Sequence, residues 1–514
     1  MILKGARSKM AVKRYFANKD NTITNAYEYN LKTRATGANM GQADILEVFS
    51  IYGQESTSSS ELERCLIQFP TADITTDRTA GSVPKSGSVN FYLKLYNAPH
   101  TLTVPKDYTL TVKAISGSWE EGHGLDMDNY TDIVYENPGS NWIQRASGSN
   151  WASQGGDFYT DSSSSYDYSF DLGTEDMELD VTTLVEQWLN SAGNVLGTKV
   201  NDGFGIMLSS SFETQTRSYY TKKFFGRGTE YFFKRPVLEA RWDSGRQDDR
   251  GNFYYSSSLA PAEDNLNTLY LYNYVRGRLR NIPAIGTTGS FLVGLYSGSA
   301  DDTAPSGSRL HIAQGGNCTH ADATHLFATG GYVATGIYSA SFAMTSAVTP
   351  LTTLYDVWTS GSGNGENSVH YFTGSFSPIT LYASRINPTN TYVTTITNLK
   401  PIYRRAETAR FRLFVREKDW SPTIYTKASS NILGQTVVSG SYKIYRIVDE
   451  LDVVPHGTGS TLHTIMSYDI TGSYFDLDMN MLQSDYAYGI EFSYYNDAIG
   501  SWINQPETFK FRVE

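Results

Sequence analysis

The stretch WIQRASGSNWASQGGD, residues 142–157, decides how the first half of this chain is read. Paired tryptophans, Trp142 and Trp151, followed by Gly155, Gly156 and Asp157, are a pattern that composition alone rarely produces. The tryptophans have two readings. Large aromatics mostly serve burial, which makes both rings core plugs. Exposed beside the Gly-Gly-Asp turn, they would instead be platforms on which sugar rings stack, with Asp157 as a polar partner. Upstream, TVKAISGSWEEGHG (residues 111–124) ends a strand at Trp119, Glu120 and Glu121. Downstream, MELDVTTLVEQWLNSAG (residues 177–193) sets one short helix into a β-rich pattern. Thr183 and Glu186 have capping-box spacing, Leu184, Val185, Trp188 and Leu189 share a face, and Gly193 is a stop.

Together these runs resemble the DNRLRE-type domain, a jelly-roll module similar to carbohydrate-binding domains. DNTITNAY, GANMGQADILEVFSI, ERCLIQF and RPVLEARW follow in the family's order, so the resemblance extends through most of residues 20–243. The hexapeptide that names the family is not present verbatim. Such domains occur in bacterial surface proteins and in virion proteins of tailed phages, and the resemblance implies a jelly-roll β-sandwich in one of those settings.

At 514 residues the chain exceeds one ordinary core, and about 150 residues per domain suggests three or four units. Charged residues make up 18%, while 37 Tyr with abundant Ser, Thr and Gly fill the polar role. That mixture favours strands and tight turns. It also suits assembled surfaces, because Tyr offers a stiff contact area with a polar tip. A net charge of −11 argues against nucleic-acid binding by the whole chain. The first 19 residues are the exception, with Lys4, Arg7, Lys9, Lys13, Arg14 and Lys19 and no acidic residue, and they read either as a solvated tail or as a basic arm that docks on an acidic neighbour. The N-terminus lacks the apolar run of a signal peptide, and nothing approaches the roughly 18 apolar residues of a membrane span. Cys65 and Cys318 are the only cysteines, so no disulfide framework is expected and manufacture in a reducing cytoplasm is.

The expected architecture is all-β: an N-terminal jelly-roll sandwich with one short helix, then two immunoglobulin-like β-sandwich domains. The boundaries are a basic arm at 1–19, the jelly roll at 20–243, a charged and Ser-rich linker at 244–265, a second β domain at 266–389 and a third at 390–514. The runs ILEVFSI, FYLKLY and YTLTVKAI alternate as strands in the first domain. Six more, from ARFRLFVRE to TFKFRVE, do so in the last. Residues 301–330 read as a long loop excursion in the second domain.

Enzyme chemistry finds little support. Adjacent carboxylates on a strand point to opposite faces, so Glu120 and Glu121 cannot flank one glycosidic bond. His311, Cys318, His320 and His325 gather donors within a short run and are the best metal candidate, although the spacing matches no standard zinc site. The Asp-x-Asp runs at residues 126 and 476 lack the Gly and Glu of a calcium loop. The expectation is therefore a non-enzymatic structural protein of a tailed-phage virion, in the neck, tail or capsid surface, made in the host cytoplasm. It would need no cofactor, and its partners would be other virion proteins and copies of itself. The alternative is a glycan-binding adhesin or receptor-binding fibre that contacts host surface glycans.

Overall fold

The computed structural model describes residues 11–100, 103–125, 139–190, 196–298, 306–314, 324–345, 351–360, 369–379, 392–418 and 434–514. The chain is mainly β and divides into two compact units, Ala11–Asp243 and a second that contains Ser244–Glu514. No helix among the described residues is long and apolar enough to cross a membrane.

In the first unit the strands are β1 (Val12–Phe16), β2 (Lys19–Thr24), β3 (Ile45–Tyr52), β4 (Ser60–Gln68), β5 (Asn90–Leu95), β6 (Tyr108–Ala114), β7 (Gln144–Ala146), β8 (Ser149–Asn150), β9 (Ser165–Phe170), β10 (Met177–Asp180), β11 (Phe204–Leu208), β12 (Tyr219–Phe225) and β13 (Val237–Arg241). One sheet runs β1, β13, β5, β10; the larger runs β12, β3, β4, β11, β6, β9, with β2 added on β4. Strand alternation builds the core between them. Phe91, Leu93 and Leu95 of β5 face Leu110, Val112 and Ala114 of β6 and Phe204, Ile206 and Leu208 of β11 in one buried cluster. Each of these side chains larger than Ala114 contributes about 1.5–3 kcal/mol by leaving water.

Three α-helices are described in this unit: α1 (Thr71–Thr79), α2 (Thr182–Leu189) and the single turn α3 (Ser210–Glu213). α2 puts Leu184, Val185 and Trp188 into the core, with the Trp188 ring edge-on to Phe204 at 4.8 Å. The expected capping box of Thr183 with Glu186 does not form, because the helix begins at Thr182, which puts Thr183 inside its first turn, and Glu186 serves a tertiary contact. Thr182 Oγ1 accepts from Phe91 N at 2.8 Å, and Glu186 is buried against the Arg78 guanidinium of α1, a stronger partner than a backbone N–H.

The outer face of the smaller sheet carries a cross-strand ladder of charge. Arg14 lies opposite Glu239, and Lys94 opposite Glu178. Glu239, 1% exposed, accepts from Arg14 Nε at 2.6 Å and Arg241 Nε at 2.7 Å, while Arg241 grips Glu178 with two bonds of 2.7 and 2.9 Å. Burial alone would raise the Glu239 pKa, but Arg14, Lys94 and Arg241 together outweigh it and hold the carboxyl well below its usual range.

The second unit opens with a seven-stranded sheet in the order Asn267–Tyr272, Ile337–Phe342, Ala328–Ala334, Phe291–Gly298, Leu354–Ser360, Val369–Phe376, with Ser306–Arg309 added on Phe291–Gly298. Residues 301–330 are thus not one loop, since Ser306–Arg309 and the start of Ala328–Ala334 both pair with Phe291–Gly298. Phe253, Phe291, Tyr338 and Trp358 centre its core. The C-terminal part has two sheets. One joins Tyr392–Ile396, Thr408–Glu417, Gly472–Asp478 and Ser467–Asp469; the other joins Ile402–Tyr403, Phe509–Val513, Ala487–Asn496, Gly440–Arg446 and Leu451–Val454, with Ser501–Asn504 on Ala487–Asn496. Phe475 stacks between Tyr442, at 4.1 Å, and Phe411, at 5.0 Å. Tyr488, at the start of its strand, accepts from Gln483 N at 2.9 Å and donates to Gln483 O at 2.8 Å.

The segment after Ser244 is fastened within this unit. Gln247 forms a parallel bridge to Tyr468, Asp248 N donates to Tyr468 O, and Tyr468 N donates to Arg246 O. Asp249 accepts from the Tyr468 hydroxyl at 2.6 Å and from Thr268 N at 2.6 Å.

Candidate functional site

The larger sheet of the first unit is apolar on both faces. Cys65 and Ile67 of β4 enter the main core, whereas Leu62 and Leu66 of the same strand join Ile23, Ile115, Trp119, Trp142, Trp151 and Phe158 in a second cluster. The excursion between β6 and β9 supplies most of that cover. Trp119 Nε1 donates to Asp202 O at 2.7 Å and Trp151 Nε1 to Asn141 O at 2.8 Å, so both indoles are buried with their polar edges satisfied. Trp142 carries the Arg64 guanidinium over its ring at 5.1 Å, and Arg64 also forks onto Glu213 at 3.0 and 2.9 Å and donates to Gly155 O at 2.9 Å. Gly155 has a φ of +87°, and a Cβ there would lie 2.8 Å from Trp142 ring atoms. Asp157 accepts from Ala152 N at 2.9 Å and Ser153 N at 2.8 Å, closing the turn.

Trp142, Trp151 and Asp157 are therefore brought together, as an internal plug. With each indole 5% exposed, no ring face is free for a sugar. The platform reading is corrected by the outward-facing Leu66 and Ile23, which require an apolar cover.

Beside the plug, Lys19, Glu120, Glu121 and His123 line an open cleft of about 320 Å³. Glu120 follows the end of β6 and turns to accept from Ser147 N at 3.1 Å. Glu121 instead takes the Arg227 guanidinium through both oxygens, at 2.7 and 2.6 Å, and accepts from Asp20 N at 2.9 Å. Asp20, 1% exposed, accepts from Arg227 N at 2.6 Å. Burial pushes the Asp20 carboxyl up to about 7 against the Arg227 contacts, with Glu121 adding to the rise. Two carboxylates thus share one guanidinium and pin the excursion to β2. Asp20 and Arg227 carry no signal in the sequence, because they meet only through a pairing of strands far apart in the chain.

The other candidates are dispersed. His311 and His325 are exposed and flank a short backbone pairing in which Ile312 N donates to His325 O at 2.8 Å; Cys318 and His320 lie outside the described residues. No group of three His, Cys, Asp or Glu suited to a metal occurs among the described residues. Lys4, Arg7 and Lys9 also lie outside them. Lys13 and Arg14 are corrected: they belong to β1, and their acidic partners, Asp77 and Glu239, are in the same chain. Tyr15, buried in the core, and the backbone edge of β13 draw this part of the expected arm into the sheet.

No family model and no curated protein matches the chain. Among solved structures, a chimeric titin Z1Z2 tandem carrying a fibronectin GRGDS peptide aligns over 48% of this chain and 91% of its own, at 14% identity and a TM-score of 0.13. Trypsin-activated alpha-2-macroglobulin from Escherichia coli aligns over 98% of this chain and 30% of its own, at 11% identity and a TM-score of 0.15.

Proposed function

We propose that this chain is a non-enzymatic structural component of a tailed-phage virion, acting through protein–protein assembly. One observation carries the structural reading: the segment 142–157, which holds the most distinctive chemistry of the sequence, is spent on holding the fold together. The virion setting rests on the resemblance of that segment and its neighbours to DNRLRE-type domains. Two sheets around one core, closed by the amphipathic α2, support a jelly-roll assignment for the first unit. Tyr488 supports an immunoglobulin-like assignment for the C-terminal sandwich, since a tyrosine bonding back to the backbone at the start of a strand is that fold's corner.

Mass spectrometry of purified particles tests the assignment. Stoichiometric presence, at a copy number that fits a symmetric ring or shell, is expected; absence from particles in which the other structural proteins are detected would overturn it.

A further inference from the structure

Lys222 of β12 is 2% exposed, an uncommon place for an amine. Its Nζ lies 4.4 Å from the ring centre of Phe170 and 4.9 Å from that of Phe224. Three oxygens surround it: Asn97 Oδ1 at 2.9 Å, Glu175 O at 2.8 Å and Gly173 O at 3.2 Å. Burial pushes the Lys222 pKa down to about 8, although Glu175 and Asp176 pull the other way. A minor uncharged fraction therefore exists at neutral pH and grows on mild alkalinisation. An uncharged amine has two hydrogens and one lone pair. As an ammonium Nζ donates one hydrogen to each of the three oxygens, Asn97 Oδ1 included, and on losing a proton it carries a lone pair beside the Asn97 carboxamide.

That amide is itself held and polarised. Asn97 N donates to Asp176 Oδ1 at 2.7 Å, and Asn97 Nδ2 donates to Ala98 O at 3.1 Å, which fixes which side-chain atom is oxygen. A backbone bridge from Asn97 to Phe224 sets the register. His100 Nε2 lies 3.2 Å from Asn97 Oδ1. Burial, then Lys222 and Lys223, lower the His100 pKa, which favours the neutral ring, and in its Nε2–H tautomer that ring donates to Oδ1; its Nδ1 is buried without a hydrogen-bond partner among the described residues. A nucleophile, a carbonyl with a donor on its oxygen, and two aromatic rings that exclude water are the parts of an acyl-transfer site.

We propose that Lys222 and Asn97 join in an intramolecular amide crosslink between the two sheets of the first unit. Nζ attacks Cγ of Asn97, and the carbonyl electron pair moves to Oδ1, where the His100 Nε2–H holds it. The pair then returns, the Cγ–Nδ2 bond breaks, and a proton from Nζ passes to the departing nitrogen. One amine and one carboxamide become one secondary amide and one ammonia, with no oxidant, cofactor or second protein. The bond would tie the segment after β5 to β12 and close a loop with its ends 125 residues apart. The inference does not depend on where the protein is assembled.

The purified full-length chain, incubated at mildly alkaline pH, tests it by intact mass and peptide mapping. The expected mass is lower than that of the sequence by one ammonia, with a branched peptide joining the segments that contain Asn97 and Lys222. Lys222→Met and Asn97→Ala keep the full mass, and His100→Ala slows the reaction. A wild-type chain that melts cooperatively, keeps its full mass and yields residues 97 and 222 in separate linear peptides would overturn the proposal. So would a loss of ammonia without the branched peptide, since that places the loss at another amide. Neither readout depends on a variant folding.

Discussion

Gly155 and Trp142 are in direct backbone-to-ring contact, with no room between them for a methyl group. The φ of +87° at Gly155 is itself unfavourable for any residue with a side chain. Gly155→Ala is therefore expected to cost roughly 2–3 kcal/mol, part strain and part displacement of Trp142 and Arg64. Urea unfolding should show a lower midpoint with an unchanged slope; an unchanged midpoint would mean that the plug yields freely.

Trp188→Ala should cost about 3–5 kcal/mol, the range for emptying a large aromatic site. Trp188→Phe should cost much less. The indole nitrogen of Trp188 is buried with no hydrogen-bond partner among the described residues, so its loss removes no bond there, and the edge contact with Phe204 is retained in kind. Equal losses for the two variants would contradict this packing.

Glu239→Gln removes the anion that serves Arg14 and Arg241 at once. Breaking a buried ion pair from one side costs about 3–5 kcal/mol, because the partner charges stay behind. The folded Glu239 pKa is depressed, so its contribution is present above the ordinary carboxylate range and is lost as pH falls through the folded value. Chemical denaturation at neutral pH, where the full loss is expected, and again in acid, where the difference from wild type shrinks, measures both points.

Glu63 acts in the opposite direction. It is 1% exposed, neither carboxylate oxygen has a hydrogen-bond partner among the described residues, and burial, then Glu47, hold its pKa well above the usual range against Lys223. Asp20, pushed up to about 7, behaves likewise. A raised folded pKa gives stability that is complete below the unfolded value and lost as pH rises toward the folded one. Stability attributable to both groups should thus decline from about pH 4 upward. Glu63→Gln should flatten that decline in the full-length chain, as read from urea midpoints across the range. A slope equal to wild type would place Glu63 in contact with water.

Alternation made the strands legible, because period-two burial leaves its mark in runs such as Asn90–Leu95 and Thr408–Glu417. It could not show that β4 is covered on both faces, and so it left Trp142 and Trp151 undecided. Ser60–Gln68 carries apolar residues in both phases, which is the signal that an outer cover exists. Asp20, Glu121 and Arg227 were hidden for a different reason. A polar trio assembled from β2, the excursion and the turn after β12 has no local spacing to recognise. Lys222 was hidden more deeply, since a lysine in a strand reads as a solvent-facing position and only its neighbours distant in sequence, Phe170 and Asn97, reveal it as interior.

The parallel bridge between Gln247 and Tyr468, with Asp249 reaching both the Tyr468 hydroxyl and Thr268, turns a connector into a seam. A connector lets modules swivel and gives a protease somewhere to cut. A seam couples its neighbours: the strand Ser467–Asp469 is bonded to residues 246–249, and the Asp249 carboxylate in turn accepts from Thr268 in the first strand of the neighbouring sheet. The segment whose composition promised a joint is the place where bending the chain would require breaking hydrogen bonds.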